Sequence, residues 1–243
     1  MTVLVCIPTY GVGRDLLEKS VRSVLAQTHT DLACVVVGDG EEPPLPHIVD
    51  SRLVVYGYPT NRGPYFAQDV AIWASPHEWY APIASDDWVD PDHLESMLAL
   101  GKDVACGALY YHNDRHDGLI IRKAYEVGIY RTQRYTEIGA HNPNERIGQD
   151  SLTLKVMRIV APVGATDHPT YHRFGRAGSL STHPDTDIRS KARIEMRERN
   201  RQIVARCARL RRADKIREYR QSLVPRDVQE ALDQQVAGLK SML

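Results

Sequence analysis

Five short apolar runs punctuate the first 111 residues: Val3–Pro8 (VLVCIP), Leu32–Gly40 (LACVVVGDG), Arg52–Pro59 (RLVVYGYP), Glu78–Ala84 (EWYAPIA) and Asp103–Tyr111 (DVACGALYY). They are too short for buried helices and too continuously apolar for half-exposed strands. They fit strands covered on both faces. Helical patterns lie between them. Leu17, Val21, Val24 and Leu25 recur at helical spacing. Pro64 opens a stretch to Ser75, in the first turn, where its missing N–H costs nothing. Asp90 followed by Pro91 reads as an N-cap and N1 for a helix to about Leu100. Strands alternating with helices predict an α/β fold with a mostly parallel sheet flanked by helices.

Sheets of this kind bind ligands outside the carboxyl ends of their strands. Pro8-Thr9-Tyr10, Asp39 and Asp86-Asp87 all fall at such ends. The adjacent aspartates are the sharpest signal. Their mutual repulsion, on the order of a few kcal/mol at an effective dielectric of ~20, is relieved when a hard divalent cation binds between carboxylate oxygens. A polar loop entering a helix would also accommodate them.

The order of the segments carries a resemblance. VCIPTYGVGRDLLEKSVRSVLAQTH, VVVGDGEE, NRGPYFAQDVAI, WYAPIASDDWVDPDHLESML, and GLIIRKAYEVGIY followed by IGQDSLTLKVMR stand in the sequence of the family-2-like, GT-A fold glycosyltransferases. The likeness spans roughly Thr2 to Thr182. It implies a metal-dependent enzyme that moves a sugar from a nucleotide-sugar donor, UDP by resemblance, to an acceptor hydroxyl with inversion. A cytosolic location is expected separately, because MTVLVCIPTY lacks a signal-peptide pattern and no apolar run is of membrane length. In the resemblance, Thr9 and Tyr10 would contact the nucleotide beside Pro8, Tyr10 by stacking, with a packed strand-end tyrosine as the other reading of Tyr10. Asp39 would accept from the base. Asn61 and Gly63 belong to the family's Asn-x-Gly stretch on the donor side. Asp87 would ligate Mn²⁺ or Mg²⁺, with Asp86 supporting it or binding the ribose. Asp150 would be the catalytic base, or an N-cap of the segment that follows. GLIIRKAYEVGIY resembles an acceptor-side helix. In PTYHRFGRAGSLS, either His172 would complete the metal shell or Arg176 would clamp the diphosphate. The chain departs from the pattern at Ala84 and Gly38, where an Asp is usual, and at Gln149, where a Glu is usual.

Two other readings stand beside this one. A non-catalytic sugar or nucleotide binding module would explain the lost acids. Nucleotidyl transfer usually shows a Gly-rich, basic loop after the first strand and fits poorly, because PTYGVGRDLL carries one basic residue, Arg14. Gly11-x-Gly13 fails as a dinucleotide fingerprint at Leu16. His112 and His116 in YYHNDRHDG read as a polar loop, with a metal site as the alternative.

Beyond residue 184 the composition shifts, dividing a catalytic domain at 1–184 from a basic helical appendage at 185–243. Ile188–Gln221 holds 13 Arg or Lys against 4 Asp or Glu, although the whole chain is neutral. It reads as one long helix with Ala192, Met196, Ile203, Cys207 and Leu210 along a broken stripe. A last helix from Pro225 places Val228, Leu232, Val236 and Leu239 on one face. The basic helix suits a nucleic acid or another polyanion, an anionic membrane surface, or packing on the core or on a second copy in a homodimer. No apolar run approaches the roughly 20 residues of a membrane span. The four cysteines are scattered and read as reduced core residues.

Overall fold

The computed structural model describes residues 1–45, 47–113, 116–121, 127–176, 178–180, 182–187 and 189–243. One sheet organises them. Its first half is parallel: β1 (Val3–Thr9) is flanked by β2 (Leu32–Asp39) and β4 (Trp79–Pro82), with β3 (Leu53–Tyr58) outside β2. Past β4 the sheet is mixed. β8 (Gly128–Arg131) runs antiparallel to β4 and to β6 (Val104–Asn113), and β9 (Val163–Phe174) is parallel to β6. Two short additions complete it. β5 (Trp88–Val89) lies antiparallel on β9, and β7 (His116–Ile121) antiparallel on β6.

The unbroken apolar runs are explained by cover on both faces. In β1, Val3, Val5 and Ile7 point to one side, against Leu17, Val21 and Val24 of α1 (Arg14–Leu25). Leu4 and Cys6 point to the other, against Phe66 and Val70 of α2 (Pro64–Ala74). Each such aliphatic side chain contributes roughly 1.5–3 kcal/mol by leaving water.

The C-terminal helices do not stand apart. Cys207 of α6 (Lys191–Leu210), Ile216 of α7 (Ala213–Gln221), and Val228, Leu232, Val236 and Leu239 of α8 (Arg226–Lys240) join the core that holds α2, Tyr135 of α4 (Thr132–Glu137) and Leu152 of α5 (Gln149–Val160). All four cysteines are buried and free.

Four expectations change. The basic segment is two helices, broken where Arg211 takes a left-handed φ of 60°. No glycine signals that turn, and it lets α7 fold back to bury Ile216 and Arg220. The expected start at Ile188 lies outside the described residues. Asp90 does not cap a helix. Its N–H donates to Thr170 O of β9, so the chain is still extended there, and α3 (His93–Leu98) begins only after a turn. The expected acceptor-side helix is strand over its described parts, in β7 and β8, while 122–126 lie outside them. Asp150 is not an N-cap, since that position belongs to Gly148.

Candidate active site

The end of β1 delivers Pro8, Thr9 and Tyr10. Thr9 is buried, and its Oγ1 donates to Glu41 Oε1 at 3.3 Å. Glu41 Oε2 accepts the Gly11 amide at 2.9 Å, so this loop is tied to the end of β2. Tyr10 is 58% exposed, which leaves its ring free to stack and rules out the packed-tyrosine reading.

Asp39 ends β2 and is buried. Its carboxylate accepts from Tyr58 Oη, Asn61 Nδ2 and the amides of Arg62 and Gly63, at 2.6 to 3.0 Å. Asp39 therefore builds the Asn61–Gly63 loop. Gly63 has φ 102°, open to glycine, and precedes α2. Arg146 closes over this loop, donating to Asn61 Oδ1 and, at 2.9 Å, to Asn61 O.

β4 runs out into the acidic pair. Asp86 Oδ2 accepts from Arg176 Nε at 2.7 Å. Asp87 turns inward and is buried. Its Oδ2 accepts from Tyr171 Oη at 2.7 Å and its Oδ1 from the Phe174 amide at 2.8 Å, both on β9. Burial pushes its pKa up to about 7, with the Asp86 charge adding to the rise and Arg173 opposing it. The donor chemistry fits a hard divalent cation: the two carboxylates are adjacent in sequence and supply oxygen donors, and a positive charge beside Asp87 would favour its ionised form.

His172 is not brought to that pair. Its Nε2 lies 2.9 Å from Asp90 Oδ1 and its Nδ1 3.0 Å from His112 Nε2. Its ring stacks on Trp88 and Tyr110, and Lys19 Nζ sits 3.0 Å from the centre of the Trp88 ring. Among the described residues no three His, Cys, Asp or Glu side chains assemble a metal cluster. The sequence left His172 and Arg176 as alternatives, and the geometry puts Arg176 against the acidic pair.

Asp150 lies in the first turn of α5, where helix amides favour a carboxylate. Its Oδ1 accepts from Tyr65 Oη at 3.1 Å and from the Ser151 amide at 2.8 Å. Among the described residues its Oδ2 has no hydrogen-bond partner. Gln149, in place of the expected acid, is buried and accepts the Asn142 amide at 3.0 Å. Sequence reasoning missed Glu41, Tyr65, Arg146 and Tyr171. Glu41, Tyr65 and Tyr171 lie inside the family-like stretches and Arg146 just before one, but each acts on a site residue far along the chain, and nothing local marks that pairing. A cavity of about 250 Å³ is lined by Asp69, Trp73, His141, Arg217 and Val236 and includes none of the strand-end residues.

Comparisons with known proteins agree with this fold. The model of Glycosyl transferase family 2 matches residues 4–160. The succinoglycan biosynthesis protein ExoO of Rhizobium meliloti (strain 1021) is 34% identical over 130 residues, 50% of this chain and 37% of that protein. Glycosyltransferase GlyA of Streptococcus pneumoniae serotype 4 is 26% identical over 122 residues, 46% of this chain and 17% of that protein. The chain thus spans well under half the length of these two relatives. The crystal structure of S. aureus TarS 1-349 in complex with UDP-GlcNAc superposes with a TM-score of 0.61 at 20% identity, covering 74% of this chain and 60% of that one. At that identity the likeness shows the fold.

Proposed function

This chain belongs to glycosyl transferase family 2, and on that footing we propose that it moves a sugar from a nucleotide-diphosphate donor, a UDP-sugar, to an acceptor hydroxyl with inversion. The observation that carries the reading is the acidic pair at the end of β4 together with Asp150 anchored on a helix N-terminus. TarS crystallised with UDP-GlcNAc supports the choice of UDP. Tyr10 stacks on the base, and Thr9 and the Asn61–Gly63 loop shape the donor pocket. Asp86 and Asp87 would hold Mn²⁺ or Mg²⁺, which when bound supplies positive charge to the departing diphosphate. Arg176 moves from Asp86 to a phosphate oxygen as the donor enters. Asp150 Oδ2 takes the proton of the acceptor hydroxyl. The acceptor oxygen then bonds to the anomeric carbon from the face opposite the diphosphate. The bond between that carbon and the diphosphate oxygen breaks, and its electron pair leaves with the nucleoside diphosphate.

Thermal melts of wild type and Asp87→Ala with UDP, GDP, TDP and CMP, with and without Mn²⁺, test this. We expect a rise with UDP that needs Mn²⁺ and is lost in Asp87→Ala, since a ligand confined to the folded state raises the melting temperature by mass action. No shift with any nucleotide sinks the transferase reading and favours a degenerate binding module.

For the acceptor, Arg197, Arg206, Arg209 and Arg211 are exposed and have no ion-pair partner among the described residues. They favour an acceptor carried on a polyanion such as nucleic acid. Binding to duplex DNA, followed by fluorescence anisotropy, should weaken steeply with salt. Binding that appears only on anionic vesicles turns the choice to a membrane surface.

A further inference from the structure

We propose that α6 and α7 belong to the catalytic unit, with Arg220 and Asn200 as positioning residues that hold the 138–148 loop and, through it, Asp150. The inference rests on Asp150 being the base. The loop enters at Ile138 and ends at Gly148, two residues before Asp150. The C-terminal helices grip it at both ends. Arg220 Nη1 donates to Ile138 O at 3.2 Å, and its Nη2 donates to Thr153 Oγ1 at 3.1 Å. Thr153 Oγ1 in turn lies 3.4 Å from Ala140 O. Asn200 Nδ2 donates to Gly148 O at 3.0 Å, the carbonyl that opens α5 by accepting the Leu152 amide. In the middle, Arg199 Nη2 meets Glu145 Oε2 at 3.2 Å.

The fit at Gly148 is close. It holds φ 73°, and a Cβ there would come within 2.3 Å of Met196 Sδ on α6. On its inner side the same loop is tied to the catalytic core. His141 Nδ1 lies 2.7 Å from Asp69 Oδ1, and its Nε2 2.8 Å from Tyr135 Oη. The His141 ring packs 4.9 Å from Tyr65, the residue whose hydroxyl holds Asp150.

Arg220 is the telling side chain. It is 4% exposed, burial pushes its pKa down, and it forms no ion pair among the described residues. A joint between helices needs no such charge, because an apolar side chain of that length would pack without the desolvation penalty. What the guanidinium adds is two directed hydrogen bonds onto the loop and the first turns of α5. That is a positioning role, and it gives the basic segment a function on its inner face independent of any polyanion outside.

The test uses the full chain with Arg220→Met, Arg220→Lys and Asp150→Asn. UDP-GlcNAc hydrolysis in Mn²⁺ supplies kcat and KM, and deuterium exchange reads the amides of 138–151. Arg220→Met is expected to melt within a few degrees of wild type, to keep KM, to lose roughly ten- to a hundredfold in kcat, and to exchange faster in 138–151. Arg220→Lys restores part of kcat. Unchanged kcat and exchange in Arg220→Met overturn the inference, and so does a loss of kcat that merely follows a loss of melting temperature or of donor binding. If Asp150→Asn keeps wild-type kcat, the base reading fails first and the inference goes with it. If Asp150→Asn is inactive while Arg220→Met is fully active, the inference fails alone. Exchange needs no substrate, so an unaltered 138–151 segment in Arg220→Met overturns the clamp whatever the donor sugar.

Discussion

Asp39 and Asp87 are both buried carboxylates at the ends of parallel strands, and they are held in opposite ways. Asp39 is met by four donors, all within 24 residues along the chain and three of them from the single loop Asn61–Gly63. Asp87 is met by two, from Tyr171 and Phe174, 84 and 87 residues away. Asp39 works as a local hub that its own half of the sheet completes. Asp87 depends on β9, which arrives from the other half. Its carboxylate has fewer partners, and burial raises its pKa, so a further positive charge beside it would favour the ionised form. The difference separates scaffold from chemistry. The Asn61–Gly63 loop is fully bonded to its carboxylate, whereas the proposed metal-binding pair is held by fewer donors.

The largest effect should come from breaking the local hub. Asp39→Ala leaves a buried tyrosine hydroxyl and two main-chain amides without their acceptor, a loss on the order of 3–5 kcal/mol. For a chain of this size that is a drop of about 10 °C in melting temperature. It should also abolish any UDP-induced shift, because the Asn61–Gly63 loop loses its anchor. A change below about 1 kcal/mol in chemical denaturation would mean that Asp39 is no hub, and the contrast with Asp87 would collapse.

A middle-sized effect should come from the junction that the second half relies on. His93 of α3 is buried with Nδ1 2.8 Å from Thr170 Oγ1 of β9. Burial pushes its pKa down to about 4, below an unfolded value of 6.5. The sign follows from linkage. Between those values the unfolded chain takes a proton that the fold refuses. The stability that His93 contributes is therefore fully present above pH ~6.5 and is lost as pH falls toward ~4, by on the order of 3 kcal/mol. Asp87, whose pKa is raised, acts in the opposite sense across this window in both proteins, so the reading is the difference between their chemical denaturation curves. From pH ~6.5 to ~4 wild type should lose on the order of 3 kcal/mol relative to His93→Gln. Equal slopes in the two would show that β9 is held by something other than this contact.

The same contrast marks what could be read from the sequence. The parallel half was legible because cover on both faces writes itself as unbroken apolar runs, and candidate site residues such as Tyr10 and Asp39 sit at the ends of those runs. The adjacent aspartates were legible for the same reason. What stayed hidden came through long-range pairing. Nothing near Asp90 announces that Thr170 will hold it extended, so an Asp-Pro that looks like a helix start is a turn. Nothing near Arg211 announces a left-handed residue, so two helices read as one. Tyr65 lies in the family-like Asn-x-Gly stretch, yet its bond to Asp150 spans 85 residues. The basic composition of the last third was plain. That one of its arginines is buried against the loop before α5 was not, because local charge counting cannot tell a solvated face from an inward one.

The smallest effect on stability should be at Arg176, and it sharpens the comparison most. Its ion pair with Asp86 is short, but both side chains keep contact with solvent, 26% and 15%. Pairs of this kind contribute about 1 kcal/mol or less. Arg176→Ala should therefore melt within a few degrees of wild type, far from the drop expected of Asp39→Ala. Ligand responses should part in the opposite sense. With Arg176 gone, Asp86 is free for a cation, so the shift with Mn²⁺ alone should grow. The shift with UDP and Mn²⁺ should shrink, because the diphosphate loses its guanidinium partner. If Arg176→Ala unfolds as readily as Asp39→Ala, Arg176 is a structural strut. The acidic pair would then be as completely built as the donor-side loop.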